Sequence, residues 1–176
     1  VDVGVHPQRD ARALAALVEY GGNAQMDSLV VARNGKLVAE AYYAPFRRGM
    51  KHRINSATKA VVALLAGVAS SQGLLQPTDP VLGLFPDRTA ANADARKQAM
   101  TLQHLLDMTS GIEWIEPLSD RPPDSMIAME RRADCEQCIL PRPMVHPPGS
   151  RLNHHPLTAH LTSAGLSRCT GEAPPD

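Results

Sequence analysis

The chain has 176 residues, of which 43% are hydrophobic but only 3% are aromatic. This length suffices for one medium-sized domain, whose core must be built mainly from aliphatic side chains and alanine. Lys and Arg together number 18, as do Asp and Glu, so the composition implies no strongly basic face and no nucleic-acid partner or membrane-surface role. The longest apolar run, residues 61–69, is too short to span a bilayer.

The N-terminal part of the chain is predicted to form one helix and one hairpin. An amphipathic helix is predicted for residues 9–20, with the glycine pair 21–22 ending it. Two strands, Ser28–Arg33 and 36–43, follow. They flank Asn34-Gly35, which is the strongest short-range signal for a tight β-hairpin.

The rest of the chain is predicted to be mainly helical. Residues 58–72 are apolar nearly all round, which predicts a central, buried helix stopped by Gly73. Thr101 can cap a short helix, and Gly171 closes the last one. The predicted helices are 58–72, 101–108, 125–132, 133–140 and 157–169, and the predicted loops are 77–94, 112–124 and 141–156.

A Ser-x-x-Lys sequence opens the apolar helix. Ser56 and Lys59 are three residues apart, so they project from one face of its first turn. A lysine amine can take the proton of a serine hydroxyl and make it a nucleophile, and free N–H groups at a helix start suit a developing oxyanion. The alternative interpretation is an N-cap serine followed by a solvated lysine.

The residues around this motif occur in the order typical of one protein family. The matching segments are 28–40, 52–59, 72–75, 79–81, 85–87, 100–111, 142–145 and 147–151. They resemble the bacterial β-lactamase-like serine hydrolases, which share the Ser-x-x-Lys signature. That family includes class C β-lactamases, D,D-peptidases, esterases and 6-aminohexanoate-dimer hydrolases, and the resemblance is nearest to the amide- and ester-cleaving branch.

The resemblance implies an α+β fold of the β-lactamase/transpeptidase-like type, of which only the N-terminal portion is present. One partial domain is expected over 1–176, with the N-terminal helix and hairpin in 1–56 and a mainly helical subdomain in 57–176. The implied activity is cleavage of a small-molecule amide or ester through an acyl-enzyme on Ser56. Lys59 would be the base, and the Ser56 backbone N–H would be one oxyanion donor. No cofactor is implied.

The chain is much shorter than members of this family. Their C-terminal half supplies further sheet strands, one of which carries a Lys/His-x-Gly motif and the second oxyanion donor. We therefore expect a fragment or truncated product, with impaired activity and a missing C-terminal half. A non-catalytic remnant that acts as a binding or assembly piece is the alternative. The family is bacterial, and the sequence leaves cytoplasm and periplasm open.

A second departure concerns a catalytic tyrosine that follows Pro-Gly in the family. The corresponding residues here are Leu-Asn-His-His, so His154 stands at the tyrosine position. Histidine can carry protons, but its ring is shorter and proton transfer needs hydrogen-bond reach. Three interpretations remain: His154 inactivates the site, His154 is a substitute base, or a tyrosine elsewhere, Tyr42 or Tyr43, takes the role.

A tryptophan and a pair of cysteines can each be interpreted as functional or as structural. Trp114 falls where relatives form the cleft wall, so it either packs in the core or contacts substrate. Cys135 and Cys138 form a Cys-x-x-Cys that, with His146, His154 and His155, gives a minor zinc-site alternative. The spacing fits no standard zinc finger, so we expect no metal. The family that the chain resembles has large apolar residues at these positions, which implies that both cysteines pack in a helix.

Overall fold

The computed structural model describes residues 7–115, 125, 129, 131 and 134–172, and they divide into two units between Arg53 and Ile54. The first unit contains helix α1, Pro7–Asn23, and the antiparallel strands β1, Ser28–Arg33, and β2, Lys36–Tyr42. Asn34 and Gly35 both have positive φ, 50° and 71°, as a tight hairpin turn requires. The predicted hairpin is therefore confirmed, apart from one residue at its end.

Helix α1 continues through the glycine pair that was predicted to end it. The Tyr43 hydroxyl donates a hydrogen bond of 2.7 Å to the carbonyl of Val18. A Cβ at Gly21 would lie 2.2 Å from that hydroxyl, so glycine allows the tyrosine to approach the helix closely. Gln25, with φ of 55°, follows the helix end in the left-handed conformation.

The second unit is helical. It consists of α2 (Ala57–Ser71), a 3₁₀ turn (Val81–Leu84), α3 (Ala95–Gln98), α4 (Leu102–Leu106), α5 (Glu136–Ile139) and α6 (Leu157–Thr170). The 3₁₀ turn and α3 were predicted as loop or missed, because each is only four residues long. Most of the predicted helix 125–132 lies outside the described residues. Of the described helices, none combines the length and hydropathy needed to cross a bilayer.

Helix α2 packs mainly against α6, which also contacts α4 and α5. Val62, Ala66 and Ala69 form the buried face of α2. The prediction that the whole helix is buried is wrong, because a second stripe at i, i+3, i+4 and i+7 is open to solvent. Its members are Val61, Leu64, Leu65 and Val68, between 46% and 72% exposed.

A fully buried lysine joins three segments of the helical unit. The ammonium group of Lys97 donates hydrogen bonds to the carbonyls of Ala91, Leu140 and Arg142. Burial lowers the pKa of Lys97, although the Asp94 carboxylate acts in the opposite direction. A buried charge is tolerated only when it is paired or hydrogen-bonded, so these carbonyls account for its place in an aliphatic core.

Candidate active site

Ser56 lies at the start of α2, directly after a residue in the left-handed conformation. Asn55 has φ of 47°, and the chain turns there into Ser56, which is already helical with φ of −65° and ψ of −13°. The Ser56 side chain makes no capping hydrogen bond. Its hydroxyl therefore remains available for chemistry, contrary to the N-cap interpretation.

The pairing predicted from the Ser-x-x-Lys spacing is present. Lys59 Nζ lies 3.3 Å from Ser56 Oγ and donates a hydrogen bond to it. Ser56 is exposed and Lys59 is half-buried, so the hydroxyl can meet a substrate while the lysine is held by the packing of α2. An amine at this distance is within reach of the serine proton.

The first turn of α2 also offers a donor for an oxyanion. The N–H groups of Ala57 and Thr58 bond to the carbonyls of Ile54 and Asn55, at 3.1 and 3.0 Å. Within the part of the chain that the structure describes, the Ser56 N–H has no hydrogen-bond partner. It can therefore donate to an oxyanion that forms beside Ser56 Oγ.

The segment that carries the two adjacent histidines is anchored to the loop after α4. The N–H groups of Gly149 and Asn153 bond to the carbonyls of Thr109 and Met108, both at 2.9 Å. Val145 bonds in the same way to the carbonyl of Gly111. These contacts place residues 154 and 155 directly before α6, which packs against α2.

His154 and His155 have opposite environments. His154 is exposed, whereas His155 has no exposed surface and lies with its ring centroid 5.5 Å from that of Trp114. Neither ring nitrogen of His155 has a hydrogen-bond partner among the described residues. Burial lowers the pKa of His155 to about 4, and the charges of His154 and Lys59 act in the same direction.

The proximity of His155 to Lys59 was not predicted from the sequence, which considered His155 only as a metal ligand. Its position could have been recognised from a periodic signal. His155, Thr158 and Thr162 follow one another at i, i+3 and i+7, and all three are at most 2% exposed. This spacing places them on one face of α6 and the residues leading into it.

Trp114 is 8% exposed, with the guanidinium of Arg142 5.1 Å from its ring centroid and His155 close by. This burial favours packing over substrate contact. The tyrosines considered as substitutes have other partners in the N-terminal unit. Tyr42 bonds to Glu40, which raises the pKa of Tyr42, and Tyr43 bonds to the Val18 carbonyl.

The cysteine pair lies at the start of α5. Cys135 and Cys138 are half-buried side chains that pack against the hydrophobic core, and burial raises the pKa of the Cys135 thiol. The described residues contain no group of three or more His, Cys, Asp or Glu side chains placed to hold a metal ion.

Comparison with known proteins identifies the family. The beta-lactamase family model matches residues 12–176, and the chain belongs to the beta-lactamase family. The helices and the two-stranded antiparallel hairpin of this chain form part of a β-lactamase/transpeptidase-like fold.

Three solved structures are similar to the chain. EstCE1, a hydrolase with promiscuous acyltransferase activity, gives a TM-score of 0.72 at 22% identity, covering 93% of this chain and 49% of that one. A D-stereospecific amidohydrolase from Streptomyces sp. gives 0.63 at 20% identity, covering 90% and 50%. A beta-lactamase/D-alanine carboxypeptidase from Yersinia pestis gives 0.63 at 22% identity, covering 88% and 46%. The chain thus spans about half the length of these proteins, and at these identities the likeness shows the fold alone.

Proposed function

We propose that this chain carries the nucleophile of a serine hydrolase that cleaves an amide or ester through an acyl-enzyme on Ser56, with Lys59 as the base. The observation that carries the proposal is the 3.3 Å contact between Lys59 Nζ and Ser56 Oγ at the start of α2. The unpartnered Ser56 N–H beside it supports the same chemistry. The likeness in fold to EstCE1 and to an amidohydrolase agrees with this reaction class.

The reaction follows from these positions. Neutral Lys59 accepts the Ser56 proton as Oγ attacks the substrate carbonyl carbon, and the Ser56 N–H donates to the oxyanion. The carbonyl–heteroatom bond then breaks, and the proton passes to the leaving nitrogen or oxygen. Water adds to the resulting ester and restores the serine hydroxyl, which releases an acid.

We expect slow turnover from the chain alone. The Ser56 N–H is one oxyanion donor, and by resemblance the second belongs to sheet strands beyond β1 and β2. Loss of one such donor typically lowers kcat by about 10²–10³. His154 adds to this effect if it blocks the proton transfer that a tyrosine performs in relatives. Because His154 is exposed, it can instead reach a bound substrate and act as a substitute base.

The alternative function is a non-catalytic binding or assembly piece. The observation that favours it is the aliphatic stripe of α2 residues Val61, Leu64, Leu65 and Val68, which is open to solvent. Large exposed apolar patches often mark interaction surfaces. In that case Ser56 and Lys59 would be adjacent for structural reasons only.

A fluorophosphonate probe followed by mass spectrometry distinguishes the two functions. Stoichiometric labelling of Ser56 that is lost in Ser56→Ala and strongly reduced in Lys59→Gln supports the hydrolase. Ser71→Ala is the matched control, because Ser71 lies on the same helix, is exposed, and donates its hydroxyl proton to the Val68 carbonyl. Equal labelling of wild type and Ser56→Ala, or none at all in folded protein, rejects the nucleophile and favours the alternative.

A further inference from the structure

A small cavity adjoins the proposed base. It has a volume of about 30 Å³ and lies between α2, α4 and α6. Its lining includes Lys59, Thr158 and Thr162, and the apolar side chains of Val62, Leu105 and Met108. About 10–15 Å³ suffices for one water molecule if the site also offers two to four polar partners, so size alone permits a water here.

The hydroxyl protons of the two threonines are already donated to backbone carbonyls. Thr158 Oγ1 donates to the His155 carbonyl at 3.3 Å, and Thr162 Oγ1 donates to the Thr158 carbonyl at 2.8 Å. A hydroxyl has one donor and two acceptor lone pairs. Both threonines can therefore only accept further hydrogen bonds.

Lys59 supplies a hydrogen-bond donor, which the two threonines lack. A lysine amine always has N–H groups to donate, and one of them is directed to Ser56 Oγ. A water molecule has two protons and can accept from a donor. The donors and acceptors balance when a water accepts from Lys59 and donates to both threonine oxygens.

We propose that the cavity binds one water molecule that accepts a hydrogen bond from Lys59 Nζ and donates to Thr158 Oγ1 and Thr162 Oγ1. The inference rests on the proposed function, because it assigns the water a task in that reaction. In the neutral amine the water holds one N–H, so Nζ can turn its lone pair, in place of the N–H that it now directs there, towards Ser56 Oγ. Thr158 and Thr162 are thus positioning residues that act on the base through the water.

The pKa of Lys59, followed by NMR of ¹³Cε-labelled lysine, tests the water without requiring activity. Thr158→Val and Thr162→Val keep the side-chain shape but remove the acceptor, so the ammonium form loses support and the pKa of Lys59 falls by more than about half a unit. Thr170→Val is the matched control, since Thr170 makes the same bond to a carbonyl of α6, that of Leu166, at 3.0 Å, and does not line the cavity.

A second variant covers the case in which the valine substitutions disturb folding. Ala63 also lines the cavity and is exposed on α2, so Ala63→Leu fills the space and expels the water, and the pKa of Lys59 falls as before. His155, the nearby titratable group that Lys59 influences, is followed in parallel spectra of protein labelled with ¹³Cε1-histidine, so that its charge is known at each pH. An unchanged Lys59 pKa in all folded cavity variants overturns the proposal and identifies a dry cavity.

The labelling rate at Ser56 separates this inference from the proposed function. If both hold, the valine variants label about tenfold more slowly at a pH high enough for Lys59 to be neutral in every variant, a loss within the contribution of a positioned base, and Thr162→Ser restores the rate because it keeps the hydroxyl. If wild type does not label at Ser56, the proposed function fails, and the Lys59 pKa still decides whether the water is bound.

Discussion

His155 lies with its imidazole centroid 5.5 Å from the indole centroid of Trp114, in a site where no part of the histidine is exposed. Neither of its ring nitrogens has a hydrogen-bond partner in the described part of the chain. A protonated imidazole there would be a buried, unpaired cation close to Lys59. The native packing at the start of α6 therefore requires His155 to be neutral.

Acid is expected to destabilise the fold through this histidine. The pKa of His155 is lowered from 6.5 to about 4 in the folded chain, so between these values the unfolded chain binds more protons. The stability that neutral His155 preserves is present in full above about pH 6.5 and is lost as the pH falls towards 4. The loss is on the order of 3 kcal/mol, measurable by urea unfolding from pH 7 to pH 4.

The histidine next to it is the control for this measurement. His155→Gln should flatten the dependence of the free energy of unfolding on pH in this window. His154→Gln should change it much less, because His154 is exposed and acts on His155 only through its charge. Parallel curves for wild type and His155→Gln would contradict the assignment.

A tyrosine at position 154 is expected to increase acylation of Ser56. If His154 blocks proton transfer, His154→Tyr restores the group that relatives have there, and the labelling rate should rise by roughly 10²-fold, the lower end of what a general acid–base group contributes. If His154 is a working base, the wild-type rate should instead rise with pH, because only neutral imidazole accepts a proton. Rates that are equal and independent of pH would exclude both roles.

Gly111 is expected to be far less tolerant of alanine than Gly73. Both glycines have positive φ, 77° and 74°, so each substitution carries a similar backbone strain of about 1–2 kcal/mol. A Cβ at Gly111 would lie 2.2 Å from the His146 carbonyl oxygen, whereas one at Gly73 would meet nothing within 4 Å. The additional loss in the free energy of unfolding of Gly111→Ala, measured by chemical denaturation, shows how firmly residues 145–155 are anchored. Equal losses would show that this segment moves aside freely.

Lys97→Met is expected to lower the free energy of unfolding by about 3 kcal/mol or more, because each buried carbonyl left without a partner costs roughly 1–3 kcal/mol. Methionine replaces the lysine stem but donates nothing to the carbonyls of Ala91, Leu140 and Arg142. Arg96→Met is the control, since Arg96 lies on the same helix, is exposed, and among the described residues pairs only with Asp94. Thermal unfolding monitored by circular dichroism compares the two variants. A loss of stability in Lys97→Met no larger than in Arg96→Met would show that the hydrogen bonds of Lys97 to the three carbonyls do not stabilise the fold.

Several features of the helical unit could not be predicted from sequence periodicity. The apolar pattern of α2 indicated burial on every side, yet Leu64 is 72% exposed, because the burial of a helix face depends on what packs against it. Lys97 was not singled out, since a lysine between polar residues indicates a solvated surface. Its burial depends on carbonyls from segments more than forty residues later in the chain.

The sequence by itself determined the features that depend on neighbours three residues apart or less. Asn34-Gly35 specifies the hairpin because its two positive φ angles are local, and the spacing of Ser56 and Lys59 brings hydroxyl and amine together on one helical turn. Only the tertiary structure decided which of two adjacent histidines is buried beside Lys59, because the packing of α6 on α2 and of Trp114 on His155 joins residues that are distant in the chain. Burial then lowers the pKa of His155.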